Sequence, residues 1–552
     1  MKRYDAIVVG GGVNGLTTAA CLGKSGRKVV LLEKNDTVGG LASTEQFADG
    51  YKNNTVIDSV PWINEQVVSE LELENHGLRF TSSNSGVTTP AGSGKVLTLS
   101  SDSHETVRSI AQFSQSDADK WPAFCNKVAM LTDFLKPLYG MTPLPIPELD
   151  LSSFLSMKPM LAPYRKHGRK ALVELLRILP MCMLELLDEW FESEPLRGTL
   201  AVAGIRHMNQ GPMAVGTAFV FLHNHVGTGG SIRPVNFIDG GTEKLVSALE
   251  SSAKSYGVEL LTGSEVKNIT VDNGTAVGVT LKNGEEVESH CVVSSLDPKT
   301  TFQGLVGNDR LSPQFSRRIK NIKMRGATAR VHYALKELPN FDGLHKELLK
   351  GIVSISPSLS YIEKASDASK YGRISKEPWI EFTVSSLREK SFAPAGKHVL
   401  SATVQYAPYH LRGTDWQSAR DELGIRVSDV LEQYAPGFRS LIEHQEVLTP
   451  EDMKSRYGLT EGNLNQGEMM LDQFFFMRPT IDSAQYLTPV GNLYLCGAAT
   501  HPGGGLHCTN GHNAANEIIK HLQSVRPPLP VTVRKLDYFS RRCSRRWLNI
   551  LV

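Results

Sequence analysis

Residues 507–510 read His-Cys-Thr-Asn, four hydrogen-bonding side chains in a row after the glycine-rich loop THPGGGL (500–506). An imidazole placed this way can act as an acid or base, or can orient a polar ligand. The same four residues also suit a helix start, because Thr509 and Asn510 are good capping residues. His501, ahead of Pro502, reads as part of a turn. Cys496 lies in an apolar run and reads as a small core residue. His223 and His225, in FLHNHV, lack the further ligands of a metal site and read as an alternate-facing strand or loop pair. Alternation along a strand through Phe474-Phe475-Phe476 sends Phe475 to the side opposite its neighbours. There is no Ser-His-Asp cue, and GSGKV (92–96) lacks the upstream glycine and the Ser/Thr of a phosphate-binding P-loop.

The elements that must position these residues begin at the other end of the chain. Residues 5–15 read DAIVVGGGVNG, a short apolar run that falls into Gly10-x-Gly12-x-x-Gly15. A helix is expected through Thr17–Leu22, then a second strand, KVVLLE, ending at Glu33. Strand, glycine turn, helix, strand and terminal acid together form a dinucleotide fingerprint. Gly10 permits the tight turn, Gly12 admits a pyrophosphate, and Gly15 lets helix and strand pack closely. The helix N-terminus offers its free N–H groups to the phosphates. Glu33 stands where a carboxylate accepts ribose hydroxyls, and it would repel a 2′-phosphate. The contacts expected from this unit are Gly10, Gly12, Val13, Asn14, Gly15, Glu33 and Lys34.

Two further glycine signatures specify the dinucleotide. NDTVGGLAST (35–44) places Gly39 and Gly40 soon after the ribose acid, and NLYLCGAATHPGGGLHCTNGHNAAN (492–516) runs strand, glycine turn, helix. FIDGGTEKLVSALESSAKSYGVELLTGSEVKNI (237–269) and GEMMLDQFFFMRP (467–479) fall between. In these stretches the chain resembles the phytoene-desaturase-like FAD-dependent oxidoreductases, a group that includes carotenoid desaturases and isomerases and retinol saturase. The resemblance implies FAD, with Gly39, Gly40, Leu41 and Ala42 in a second cofactor loop and Val266 reaching the adenine through its backbone. It also implies that Gly497, Ala498, Thr500, Gly504, Gly505 and Leu506 pass the flavin end. His507 and Cys508 then sit beside the flavin edge and, with Phe475, are the expected substrate contacts. His507 is the candidate catalytic group, and either Cys496 or Cys508 is near enough for a covalent flavin link. Amine oxidases often carry Arg where Leu41 stands and an acid where Ala498 stands, which favours the desaturase branch.

The fold this implies is α/β: a Rossmann-type, glutathione-reductase-like FAD-binding domain with an α+β substrate domain inserted. Residues 1–75, 232–305 and 485–525 are expected to form the first. Residues 76–231, mainly helical, and 306–484 are expected to form the second, with strands at 327–335 and 398–407. Residues 526–552 form a basic amphipathic tail, VRKLDYFSRRCSRRWLNILV after PPLP. The tail suits anionic lipid or a partner protein, or is simply a frayed or docked end.

Composition narrows the function. The chain has 552 residues, 41% hydrophobic and 21% charged, with a formal net charge of +2. That balance gives no reason to expect nucleic acid. Seven cysteines without a CxxC pair do not make a disulfide framework, and a reduced, cytoplasmic setting fits. The first strand starts at once, leaving no room for a signal peptide. The apolar stretch 171–191 carries Glu174, Arg177, Glu185 and Asp188 at helical spacing. It reads as an amphipathic helix that packs on its own domain, lies on a bilayer surface or lines an opening, and not as a membrane span. With no second GxGxxG unit, NAD(P)H has no evident site. The expectation is an oxidoreductase that takes a hydride from an apolar or amphipathic small molecule and is reoxidised by oxygen, a quinone or another external acceptor. A redox-neutral isomerase is compatible as well. The alternatives are an oxidase of an amine or partly saturated nitrogen heterocycle, and a flavoprotein that binds a partner or membrane through its tail.

Overall fold

The computed structural model describes residues 3–82, 84–146 and 157–524, so the basic tail lies outside the described residues. Its first sheet has five parallel strands in the order Glu259–Leu261, Val29–Leu32, Arg3–Val9, Glu286–Ser294, Leu493–Leu495. Strand Val29–Leu32, VVLL, is buried throughout, as expected where both faces of a parallel sheet are covered. Alternation along Arg3–Val9 divides the core. Ala6 and Val8 pack on the helices Val13–Lys24, Glu243–Ser255 and Thr509–Ser524. Ile7 and Val9 pack on the opposite side against an antiparallel meander, Val266–Asp272, Thr275–Leu281 and the first half of Glu286–Ser294. The strand order reverses at Arg3–Val9, with Val29–Leu32 on one side and Glu286–Ser294 on the other. A ligand crevice forms at such a switch point, outside the carboxyl ends of the strands.

The second sheet is mixed: Ile442–Leu448, Thr328–Leu335, His398–Gln405, Ile380–Thr383, Ile352–Ile355, Val87–Pro90 and Val96–Leu99. The expected strands at 327–335 and 398–407 are present and pair antiparallel from Thr328↔Gln405 to Leu335↔His398. Residues 76–231 supply two strands of this sheet as well as their helices. One face is apolar: Ala329, Val331, Leu400, Ala402, Ile380 and Phe382 pack on the helix Trp416–Tyr434. The other face is polar although it too is buried. It carries Arg330, His332, Glu381, Thr383, Ser401, Thr403 and Gln405.

The stretch 171–191 is not one helix. The helix Leu161–Ile178 is already interrupted at Gly168 (φ 76°) and ends before Pro180. A short helix, Met183–Asp188, restarts behind a reciprocal cap between Cys182 and Glu185. Val173 and Leu176 are exposed on the first piece. Among the described residues no helix is long and apolar enough to cross a membrane.

Arg330 ties the polar face to the first domain's edge. Its Nη2 donates to Asp58 at 2.6 Å, and the guanidinium also reaches Thr403 and Ser401. Both charges are almost fully buried, so Arg330→Met strands the Asp58 carboxylate. We expect a loss of about 3–5 kcal/mol in chemical denaturation. Lys254→Met, which breaks an exposed i,i+4 pair with Glu250, is expected to cost at most about 1 kcal/mol. Equal effects would show that the buried pair is not a structural tie.

Candidate functional site

The glycine turn is held too tightly for side chains. A Cβ on Gly10 would fall under 3.0 Å from Ser295 Oγ, and one on Gly15 equally close to the Gly10 carbonyl oxygen. Gly10 also has φ +96°, a left-handed conformation that only glycine adopts freely. Ser295 Oγ donates to the carbonyls of Val9 and Gly10, both at 3.0 Å. Gly39 closes the second loop onto the first, its N–H donating to Gly11 O at 2.8 Å. Glu33 accepts from the N–H of Gly11 at 2.7 Å and of Asn35 at 3.0 Å, and its carboxylate still borders the crevice.

These segments line one elongated cavity. Of the expected cofactor residues, Gly10, Gly12, Val13, Asn14, Gly15, Glu33, Lys34, Gly39, Gly40, Leu41, Val266, Ala498, Gly505 and Leu506 form its wall. A Cβ on Gly12 would meet no protein atom within 4 Å, so it would project into the crevice. The helix Val13–Lys24 starts at Gly12 with no side-chain cap, and Asn14 Oδ1 is buried without a partner. An uncapped helix start and an open glycine cradle suit a pyrophosphate. Val266 closes the Glu33 end, and Ala498 and Leu506 stand at the other.

Ala42, Gly497, Thr500 and Gly504 stand off this wall. Ala42 is fully buried in the turn Gly40–Ala42. Gly497 abuts the Ser295 carbonyl, closer than a side chain allows. Thr500 Oγ1 donates to Gly497 O at 2.8 Å. Gly504 belongs to the wall of the neighbouring cavity. Sequence reasoning missed Gln466, which borders the crevice and laces two segments together: its Nε2 donates to Ser295 O and its Oε1 accepts from Ala499 N–H. Arg478, which follows the aromatic run as a possible pocket wall, proves to be a buried tie. This guanidinium is 1% exposed and donates only to carbonyl oxygens, among them Asn465 at 2.7 Å and Ala498 at 2.8 Å. Burial lowers its pKa to about 9.

The residues singled out for chemistry are displaced from the cavities. His507 is 2% exposed and stacks on Trp62, centroids 4.7 Å apart. Its Nδ1 accepts from Thr509 N–H, so the neutral ring carries its proton on Nε2, which has no partner. The ring sits immediately behind Gly505 and not in a cavity wall. Cys508 is fully buried in the core between the helices and has φ +63°. Phe475 is not on a strand. It starts a 3-10 turn, Phe475–Met477, with φ +50°, and packs on Phe474, Phe219 and His501. Thr509 and Asn510 are not caps: both lie inside the helix Thr509–Ser524, where Asn510 Nδ2 donates to Thr500 O. Burial pushes the Cys496 and Cys508 thiols up to about 12, which leaves them protonated at neutral pH.

His223 is the last residue of a helix, Thr217–His223, and His225 lies in the turn that follows, so the two are not a strand pair. His223 Nε2 donates to Gly504 O at 3.1 Å, so its Nδ1 accepts from Tyr139 Oη at 2.7 Å. His225 bridges Phe221 O and Arg233 N–H. Burial is the main cause that lowers the pKa of His207, His332 and His507 to about 3, and of His223, His225 and His501 to about 4.

A second cavity opens beside the first and shares Ile57, Leu464, Gly505 and Leu506 with it. Its wall includes Asp58, Arg206, His207, Glu381 and Thr383. None of these was singled out from the sequence. They come from separate segments, and the available signal was the alternation of polar residues in TARVH, IEFT and SATVQ.

Two outcomes follow from this geometry. Gly15→Ala forces the Gly10 carbonyl aside, so the purified variant should hold much less flavin per chain than wild type. Gly304→Ala, with nothing within 4 Å, should hold as much. The six histidines bind protons in the unfolded chain near pH 6.5 but not in the folded one until about pH 4 or 3. Their contribution is complete above about pH 6.5 and is lost as pH falls toward 4, so the denaturation midpoint should drop across that window. A pH-independent midpoint between 7 and 4 would contradict their burial as neutral rings.

Comparisons with known proteins agree with the cradle. The family described as flavin containing amine oxidoreductase matches residues 14–519. The chain is 32% identical over 551 residues to the rat (Rattus norvegicus) pyridine nucleotide-disulfide oxidoreductase domain-containing protein 2, covering 95% of this chain and 94% of that one. It is 23% identical to a lycopene-forming phytoene desaturase of Pseudescherichia vulneris, covering 92% and 96%. An oxidoreductase structure from Methanosarcina mazei superimposes with a TM-score of 0.58 at 15% identity, covering 94% and 100%. The chain therefore belongs to the flavin-containing amine oxidoreductases, in their phytoene-desaturase-like branch, and is an FAD-dependent oxidoreductase.

Proposed function

We propose that the protein oxidises an amphipathic small molecule held in the second cavity and passes the electrons to an external acceptor, dioxygen or a quinone. The observation that carries this reading is the shared wall: the cofactor crevice and the second cavity are both lined by Ile57, Leu464, Gly505 and Leu506. Bound FAD supplies a two-electron acceptor that takes a hydride at N5. Gly10, Gly12 and Gly15 would hold its pyrophosphate, Glu33 its ribose and Val266 its adenine. The substrate gives up a hydride and releases a proton to solvent.

The rest of the task is positioning. His223 and Tyr139 pin the Gly504 carbonyl, His501 Nε2 donates to Leu138 O at 2.8 Å, and Asn513 Nδ2 donates to Tyr139 O at 2.8 Å. The end of the long helix Gln115–Tyr139 is thereby fastened to the loop between the cavities. Met469, Val220 and Leu506 give the second cavity apolar wall that excludes water, which strengthens electrostatic contacts within it. Oxidation of an amine draws no support from the Asp58 and Glu381 carboxylates in the same wall, since each is already paired with guanidiniums. Docking through the C-terminal tail falls outside the described residues.

Anaerobic mixing of the FAD-loaded protein with aliphatic carboxylates, alcohols and amines is expected to bleach the flavin absorbance with one class. Dioxygen or a quinone should restore the band, and peroxide would mark dioxygen as the acceptor. A band that dithionite bleaches but no organic class does would contradict the reading. Because His207 and His223 stay neutral down to about pH 3 and 4, the bleaching rate should show no histidine inflection between about pH 5 and 8.

A further inference from the structure

The second cavity is lined on one side by the buried polar face of the mixed sheet. Glu381, 3% exposed, sits between two guanidiniums: Arg233, itself 8% exposed, and Arg206, whose Nη2 donates to it at 2.8 Å. Asp58 accepts from Arg330, and Arg388 is close enough for its charge to be favoured by Asp58. Four guanidiniums therefore surround two carboxylates. His207 and His223 add no charge, since both are neutral at physiological pH. Arg206, Asp58 and Glu381 stand in the cavity wall, and the surplus becomes positive through the buried Arg233, Arg330 and Arg388 behind them.

Arg206 is the guanidinium of this cluster that stands in the cavity wall, beside Asp58 and Glu381. Its side chain is 25% exposed, whereas Arg233 and Arg330 are nearly sealed, and its Nε has no partner. The same wall also carries apolar side chains: Val56, Ile57, Val220, Leu464, Met469 and Leu506. Arg206 also borders a smaller adjoining pocket with Arg233, and Arg233 borders a cleft that runs past Gly227–Asn236.

We propose that this cavity binds an otherwise apolar substrate through an anionic headgroup, a carboxylate, with Arg206 as the docking group. The proposal rests on the reading of the second cavity as the substrate site. A carboxylate on Arg206 offsets the positive surplus, and its chain extends along the apolar wall toward Gly505 and Leu506. Arg206 is a binding and specificity residue here; the hydride step is left to the cofactor.

The test uses hexanoate, hexan-1-ol and hexylamine as probes, titrated into FAD-loaded protein and read by perturbation of the flavin absorption spectrum. Hexanoate is expected to bind at least about tenfold more tightly than the other two, the scale of a charge-assisted hydrogen bond. Arg206→Gln should lose about tenfold or more for hexanoate and change hexan-1-ol by less than about twofold, while Arg206→Lys should recover part of the loss. Equal affinity for the three headgroups, tighter binding of hexylamine, or an unaltered Arg206→Gln variant would overturn the proposal. If that variant fails to retain flavin, the headgroup order in wild type decides alone. The titration reads binding and not turnover. Tight hexanoate binding in a protein that no organic compound reduces would leave the anion site standing and remove the redox reading. Reduction by neutral compounds without a headgroup preference would do the reverse.

Discussion

The structure depends on three backbone segments approaching more closely than side chains allow. Gly10 meets Ser295, Gly15 meets the Gly10 carbonyl, and Gly497 meets the Ser295 carbonyl, each with no room for a Cβ. The segments around Gly10, Ser295 and Gly497 lie hundreds of positions apart, yet each follows the carboxyl end of one of three neighbouring parallel strands. The approach has two consequences. It brings the uncapped helix start at Gly12 to the floor of a crevice, and it seats the Gly497–Leu506 loop at the crevice's far end. Gln466 and Arg478 reinforce the meeting point through carbonyls and amides alone. A buried guanidinium without a carboxylate is costly. Its tolerance here reflects how many loop carbonyls need a donor at one point.

The second constraint is electrostatic. A sheet with one apolar and one polar face normally turns the polar face to water. In this protein the polar face of the mixed sheet is turned inward, over the end of the cofactor crevice. Its side chains satisfy one another: Arg330 with Asp58, Thr403 and Ser401, His332 with Asn53 and Thr55, Gln405 with the carbonyls of Ile205 and Met208. Such networks are kept where a fixed arrangement of charge matters, since an apolar core would be as stable or more so. This inward-facing charge is the feature on which the proposal of an amphipathic substrate rests.

How much of this was legible in the sequence follows from how local each signal is. The glycine turn, Glu33 and the Gly39–Gly40 pair are short-range features, because the cofactor grips backbone that is contiguous in sequence. The strands at 328–335 and 398–405 were legible from their β-branched and alternating residues. The 171–191 stretch misled because its charges keep helical spacing across Pro180, which ends the helix. Phe475 misled because a three-residue aromatic run looks like strand, while its positive φ turns it into a bend. The His507–Asn510 cluster was placed at the flavin edge by proximity in sequence. In the structure His507 is buried against Trp62 and packs on Gly505. The Arg206–Glu381–Arg233 cluster was hidden for the opposite reason: each member sits in an unremarkable segment, and only the tertiary fold assembles them.

The central claim is that distant glycine segments converge to grip one FAD. The most direct measurement is the electron density of the purified protein in the crevice bounded by Glu33, Gly12 and Leu506. The account expects one FAD per chain, its adenosine beside Glu33 and Val266 and its ring system at the Ala498–Leu506 end. A well-folded, flavin-supplemented protein that remains colourless, with no dinucleotide density in that crevice, would contradict it.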